Sequence, residues 1–394
     1  MTVALNRLIG RIGDVDAHEN IPTSRYPEFF GEAGRRFLEL NKPMFDWLEL
    51  ALAKDDNRIT LNRQDDETIT EQTVWEKKGV GAPAHADMDR RPQVLDVMGI
   101  KRQLVFPGFG LMAMSQALGG GFNGVPPATQ EQIENGRDSL NAHNNWAGQI
   151  TSKYPDRLRI VGVLETSEPG LTPEQLARKT EDLIANGVKA IMICAGVPPA
   201  GLSPADPRLD PFYDAIAKSN VALLFHPPSG AGFRKSDVWG MVPGVYRDLS
   251  DHVAVHMAEE TFLCVMTVGG VFERHPTLRV GFIETGGAWV GPLVERMDFG
   301  GIFEKETYDS LTMKPSEYIA RNVRVSVLLE EPVELWLERY PMLQSVYCYS
   351  SDYPHSEGKP WSLRESYARI APFGDSVVEK FFVTNSQLIL PALA

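Results

Sequence analysis

Short apolar, β-branched runs recur along the chain, separated by stretches in which apolar residues return every three or four positions. The runs predict strands over Arg11–Asp16, Arg102–Phe106, Leu158–Leu164, Lys189–Cys194, Val221–Phe225, Leu278–Ile283, Val323–Leu329 and Ser345–Tyr349. Several, such as AIMIC at 190–194 and VALLF at 221–225, are continuously apolar rather than alternating. Burial of a parallel strand on both faces produces that pattern. Helix signals lie between the runs. Thr172-Pro173-Glu174 opens a helix that closes at Asn186-Gly187, and Asp210-Pro211 and Pro315-Ser316-Glu317 open others. Proline suits a first helical turn, and glycine suits the position past the end. Eight strand–helix alternations predict an α/β fold, a (β/α)8 barrel of the TIM type.

Two regions exceed the minimal repeat. An insertion over 19–95 follows the first strand, with a helix predicted over Glu28–Lys54 and a charged stretch from Asp55 to Arg91. A loop over Gly108–Pro127, rich in glycine and methionine, follows the second strand. No repeat or low-complexity segment divides the chain, so residues 1–394 read as one barrel domain with these additions.

Composition narrows the function. Hydrophobic residues make up 43% and charged residues 23% of the 394, which is the balance of a globular chain. Lysine and arginine number 39 against 52 acids, a net charge of −13, whose field repels nucleic acid and anionic membranes. Cys194, Cys264 and Cys348 form no CxxC pair and fit inert packing in a reducing compartment. The longest apolar stretch, Phe262 to Phe272, is too short to span a bilayer, and the N-terminus lacks a secretory apolar core. The expectation is a soluble, cytoplasmic protein acting on a small molecule.

A barrel demands that its chemistry sit where strands end. Asp16 and His18 end the first strand, two apart, so an extended chain points both to one side. His226 ends the fifth strand, Glu284 the sixth, and the eighth leads to Asp352. Singly, each has a plainer role as a helix cap or packed loop residue. Together, imidazoles and carboxylates at one mouth make a nitrogen–oxygen site for a divalent metal. His85, His252 and His275 read as structural or solvent-facing, and His355 as a loop residue supporting Asp352.

The sequences DVDAHEN at 14–20, FHPP at 225–228, GGVFERHPTLRVGFIETGGAWVGPLVERMD at 269–298, KPSEY at 314–318 and SSDYPH at 350–355 carry a resemblance. So, more weakly, do His143-Asn144-Asn145-Trp146 and Pro155-Asp156-Arg157. From Gly13 to about Glu357 the chain resembles the amidohydrolase-related family of metal-dependent barrels. The branch is the one that includes aminocarboxymuconate-semialdehyde decarboxylase and γ-resorcylate decarboxylase. The resemblance implies metal ligands at Asp16, His18, His226 and Asp352. Where the family usually has a histidine after strand six, this chain has Glu284, in a Glu-x-Gly-x-x-Trp pattern that ends at Trp289; Glu284 is then a ligand or an acid/base. It also brings His256 and Glu259, three apart on one helical face, close to the site, with His256 a candidate catalytic group. Glu19 and Glu259 are candidate further ligands or supports for the ligands.

The implied cofactor is one or two divalent ions: zinc, manganese or iron. The implied reaction is hydrolysis or non-oxidative decarboxylation, with Asp352 or Glu284 moving the proton. The carboxylate-rich set also leaves open an O2-activating enzyme with two irons. If the Gly108–Pro127 loop covers the mouth, Phe109, Met112, Met114 and Phe122, with Trp289, favour a bulky, largely apolar substrate bearing a carboxylate. The same loop equally suits a subunit interface in a homodimer.

Overall fold

The structure is a computed structural model that describes residues 3–46, 65–120, 127–227, 233, 251–356 and 358–393. Its strands are β1 (Ile12–Asp14), β2 (Ile100–Val105), β3 (Leu158–Ile160), β4 (Gly162–Val163), β5 (Ala190–Met192), β6 (Ala222–Phe225), β7 (Arg279–Phe282), β8 (Val323–Ser326) and β9 (Tyr347–Cys348). Every pairing is parallel and follows chain order, β1 to β3 in one run and β4 to β9 in the other.

The two runs are one barrel. β3 and β4 are a single stave broken only at Val161, whose amide bonds back to Val105 O at 2.9 Å, while Leu164 N bonds forward to Met192 O. The break has a cause in the long helix Gln130–Lys153. Asn144 pairs with both the amide and the carbonyl of Val163, each at 2.8 Å, and His143 Nε2 lies 3.0 Å from Val161 O. The weak His143-Asn144 motif therefore anchors a strand. At the opposite seam, Val15 N donates to Tyr349 O, Asp352 N to Asp16 O and His18 N to Tyr353 O. These bonds join the first stave to the last and close the (β/α)8 barrel.

Most strand side chains are apolar and fully buried, as the continuous runs require, with Asp14, Gln103, Arg159 and Ser326 as buried polar exceptions. The Thr172 cap is formed as expected: its hydroxyl accepts from Gln175 N at the head of the helix Pro173–Ala185. Two expectations are corrected. The stretch placed as one helix over Glu28–Lys54 is the helix Tyr26–Leu40, capped at Asn41, followed by a helical turn over 42–46, with residues 47–64 outside the described part. The loop after β2 is largely the helix Phe109–Ala117. Its Leu, Met, Ala and Gln residues are good helix formers, and the methionine and glycine content concealed this. No helix among the described residues is long and apolar enough to cross a membrane.

Candidate metal centre

Asp16 and His18 extend from the end of β1, and His226 follows β6 directly. Glu284 and Asp352 sit just past β7 and β9 with φ of 60° and 51°, the left-handed region that non-glycine residues rarely enter. Such strain costs about 1–3 kcal/mol per residue and persists only where surrounding structure enforces it. Here the amide of Glu284 is held by Ser326 Oγ at 2.8 Å and that of Asp352 by Asp16 O at 2.9 Å.

Four side chains converge. Ligand atoms of Asp16, His18, His226 and Glu284 lie within 4.8 Å of one another, and His18, Asp352 and His355 form an adjoining group. His226 Nε2 is 2.7 Å from Glu284 Oε2 and 3.6 Å from Asp16 Oδ1, and His18 Nε2 is 3.5 Å from Asp16 and 3.4 Å from Asp352. Asp16 Oδ1, His18 Nε2, His226 Nε2 and both Asp352 oxygens are buried without a well-aligned hydrogen bond. Buried polar atoms seldom stay unmatched, and the three of Asp16, His18 and His226 that converge with Glu284 suit a cation that would complete them. The spread is close to the roughly 4.2 Å separating two ligands on opposite sides of one ion. The residues fit a single divalent metal. His226 Nδ1 lies 2.6 Å from Pro227 O, which places its proton there and leaves Nε2 for the ion.

Electrostatics agree. Burial disfavours the charged form of both histidines, yet the carboxylates outweigh it, pushing His18 up to about 10 and His226 up to about 9. Burial likewise opposes ionisation of Asp16 and Glu284, but the imidazoles hold Asp16 below and Glu284 well below the usual carboxylate range. Without metal, protons on the imidazoles supply the missing positive charge. A cation must displace them, so metal affinity is expected to rise with pH between about 6 and 8, by about tenfold per unit for each proton released. Metal titrations against a competing chelator at several pH values measure this, and a pH-independent affinity contradicts it.

His355 is placed closer than its sequence position suggested. Its ring stacks on His18 at 3.9 Å, and Nδ1 lies 2.9 Å from Asp352 Oδ1. Behind the centre lies a polar network that sequence reasoning missed. Asp14 accepts from Gln103 Nε2 at 2.7 Å and from Ser351 Oγ at 2.6 Å and N at 2.9 Å, and burial pushes its carboxyl up to about 7. Arg91, fully buried, donates to Gln103 Oε1, Ala84 O, His18 O and Tyr353 O.

Other candidates lie elsewhere. Glu19, next to His18, points away from it: Oε1 accepts from the amides of Gly108 and Phe109, and Oε2 from Ile21 N. Its carboxylate caps the helix Phe109–Ala117, where a negative charge is favoured. Glu259 is buried on the helix Met257–Val268 and is not among the converging groups. His256 precedes that helix, with Nε2 3.6 Å from Glu260 and its ring 6.2 Å from Trp289. Trp289 is a support: its Nε1 donates to Gly286 O, while Glu331 takes the amides of Gly287, Ala288 and Leu328. Gly286, at φ +73°, has no room for a Cβ, which would sit 2.8 Å from Glu331. The Glu-x-Gly-x-x-Trp pattern thus builds the turn that presents Glu284.

A cavity of about 300 Å³ opens on the centre, walled by Pro107, Gly108, Leu111 and Pro227 and floored by His18, His226, Glu284 and His355. None of the described residues of the apolar set placed over the mouth lines it; the helix Phe109–Ala117 contributes Leu111 instead. Phe109 instead stacks on Phe30 at 4.0 Å within a cluster including Tyr26 and Phe37, and Met114 is buried in the core. Met112 is half-buried against that core, and Phe122 lies outside the described residues. Leu111→Ala is expected to raise KM roughly tenfold at near-constant stability. Met114→Ala should instead lower stability by about 2–5 kcal/mol without moving KM. Steady-state kinetics and urea unfolding separate the two.

Fold and centre together define a (β/α)8 barrel with a candidate metal site of histidines and carboxylates at the C-terminal ends of the strands. The amidohydrolase family model matches residues 120–391, which include His226, Glu284 and Asp352. The chain belongs to the amidohydrolase family. It is 27% identical over 249 residues to the 2-amino-3-carboxymuconate-6-semialdehyde decarboxylase of Dictyostelium discoideum, covering 62% of this chain and 64% of that one. Among solved structures, an amidohydrolase from Mycobacterium avium subsp. paratuberculosis is similar with a TM-score of 0.66 at 18% identity, covering 96% of this chain and 99% of that one. The 5-carboxyvanillate decarboxylase of Sphingomonas paucimobilis has a TM-score of 0.58 at 18% identity, covering 97% and 99%. That of Novosphingobium aromaticivorans, complexed with manganese and a nitrobenzoic acid, has 0.57 at 18%, covering 96% and 95%. These structural likenesses establish the fold.

Proposed function

We propose that the protein is a metal-dependent decarboxylase of a compact aromatic or conjugated carboxylic acid. The observation that carries this is the cavity: it is small, has Pro107, Leu111 and Pro227 beside Glu19 and Asn20 along its walls, and has no lysine or arginine among its described lining residues. At about 300 Å³ it suits a single ring rather than the bulky substrate expected from the methionine-rich loop. Asn20 offers a neutral donor at the lining, and the positive charge to balance a substrate carboxylate would come from a cation held by the histidines and acids. The names of the Dictyostelium relative and of the carboxyvanillate decarboxylases support the same choice.

In this reading Asp16, His18, His226 and Glu284 hold the metal. The bound cation would polarise the substrate carboxylate or a neighbouring hydroxyl. Pro107, Leu111 and Pro227 clasp the ring and keep water from it. Asp352 and His355 act as the proton couple: burial pushes the Asp352 carboxyl up to about 6, and His355 Nδ1 lies 2.9 Å away. The bond from ring to carboxyl carbon breaks, its electron pair remains on the ring, Asp352 protonates that carbon, and CO2 leaves. His355, half-buried at the cavity, returns a proton from solvent. The two-iron oxygenase reading loses its support, because Glu19 is committed to backbone amides and Glu259 does not converge.

The test is turnover of hydroxylated benzoic acids in D2O. One deuterium per product at the carbon that lost CO2, with CO2 formed in equal amount, is the expected result. No turnover of these acids together with cleavage of an aryl ester, amide or lactone assayed in parallel would establish hydrolysis, and oxygen uptake the oxygenase. Asp352→Asn should keep the metal and lose turnover; loss of the metal would make Asp352 a ligand instead.

A further inference from the structure

The opposite, N-terminal end of the barrel gathers cations that have no counter-ion among the described residues. Arg102 near the start of β2, Arg159 in β3, Arg279 at the start of β7 and Arg324 in β8 share one side of the staves. The register aligns Gly13 with Arg102, Leu104 with Arg159 and Gly281 with Arg324. A Cβ on Gly13 would strike Ser386, and one on Gly281 would meet Leu224 and Ile389, so this side faces the C-terminal segment. That segment plugs the barrel base and offers the arginines only carbonyls. Arg102 Nη1 donates to Leu390 O and Arg159 Nη2 to Pro391 O, each at 3.0 Å, and Arg324 Nε to Asn385 O at 3.1 Å.

What remains is unmatched. Arg159 is fully buried, yet its Nε and Nη1 have no acceptor, and neither do Arg102 Nε and Arg279 Nη1. Among the described residues no carboxylate is ion-paired with any of the four, in a chain that carries 52 acids. The main charge acting on Arg159 is the like charge of Arg102, and Asp156 acts on Arg102 only at a distance. Guanidinium does not discard its proton as a buried lysine can. A buried charge left unpaired is costly, so such a group calls for an anion.

We propose that the base of the barrel binds a small inorganic anion between Arg102 and Arg159, apart from the metal centre, and that it locks the C-terminal segment onto the staves. Phosphate and chloride are the probes, each added to the metal-loaded protein in gluconate buffer at constant ionic strength. The expected result is a saturable rise in Tm of about 4 °C at a hundredfold excess over Kd. In Arg102→Gln the midpoint of that rise should move at least about tenfold higher. Arg102 is partly exposed and Arg159 fully buried, so Arg102→Gln is the variant expected to keep the fold. Anion bound at the metal centre would persist in Arg102→Gln and show as inhibition of turnover, which separates the two sites. A Tm that ignores both anions, or that responds equally in Arg102→Gln and wild type, overturns the proposal.

Discussion

His226→Ala is expected to purify without metal and to lose about a thousandfold in turnover while the barrel remains folded. The Nε2 of His226 touches Glu284 at 2.7 Å and approaches Asp16 at 3.6 Å, so its removal opens the ligand ring at its most closely contacted point. A bound cation supplies several kcal/mol of charge stabilisation, and about 4 kcal/mol corresponds to a factor of about a thousand in rate. The fold should survive because the ring's packing partner, Phe106, stacked at 4.3 Å, follows β2 directly and is itself fully buried in the core. The carboxylates left behind take up protons rather than drive the staves apart. Elemental analysis and circular dichroism on the variant, with His18→Ala alongside, check both halves. Wild-type metal content in both variants would show that the ion is held elsewhere.

The residues legible in the sequence share a property: each stands where a continuous apolar run ends. Asp16, His18, His226 and Glu284 were found by that rule, and the structure brings them together because a closed barrel converges its strand ends. What lay beyond the rule depends on chain direction. Asp352 enters the left-handed region, which turns the next residues back over the mouth and drops His355 onto His18. Nothing in the residue types announces that reversal. Glu19 was left open between a ligand and a support; being next to His18, it points to the other side, where the first turn of the helix Phe109–Ala117 presents its amides. That helix was itself obscured by glycines and methionines, so Phe109 was assigned to the substrate rather than to Tyr26 and Phe30. The Asp14, Gln103 and Arg91 network was invisible because its members come from β1, β2 and the insertion, and only register unites them.

That network carries the second large effect. Arg91→Met is expected to destabilise the protein by at least about 3 kcal/mol and to weaken metal binding with it. The substitution fills much of the same space but leaves four acceptors, Gln103 Oε1 and the carbonyls of Ala84, His18 and Tyr353, without their donor. Each buried orphan costs about 1–3 kcal/mol, partly recovered where water enters. The guanidinium also packs over the Tyr353 ring at 4.5 Å. Two of the lost bonds fall on the backbone of a proposed ligand, His18, and of the residue after Asp352. The consequence should therefore reach the centre: a higher metal Kd at temperatures where the variant is still folded. Arg91→Lys is the informative companion, since one ammonium retains the charge but cannot reach four acceptors in the guanidinium plane. If it restores stability while metal affinity stays low, Arg91 positions the ligands. If stability and affinity return together, its role is confined to the fold.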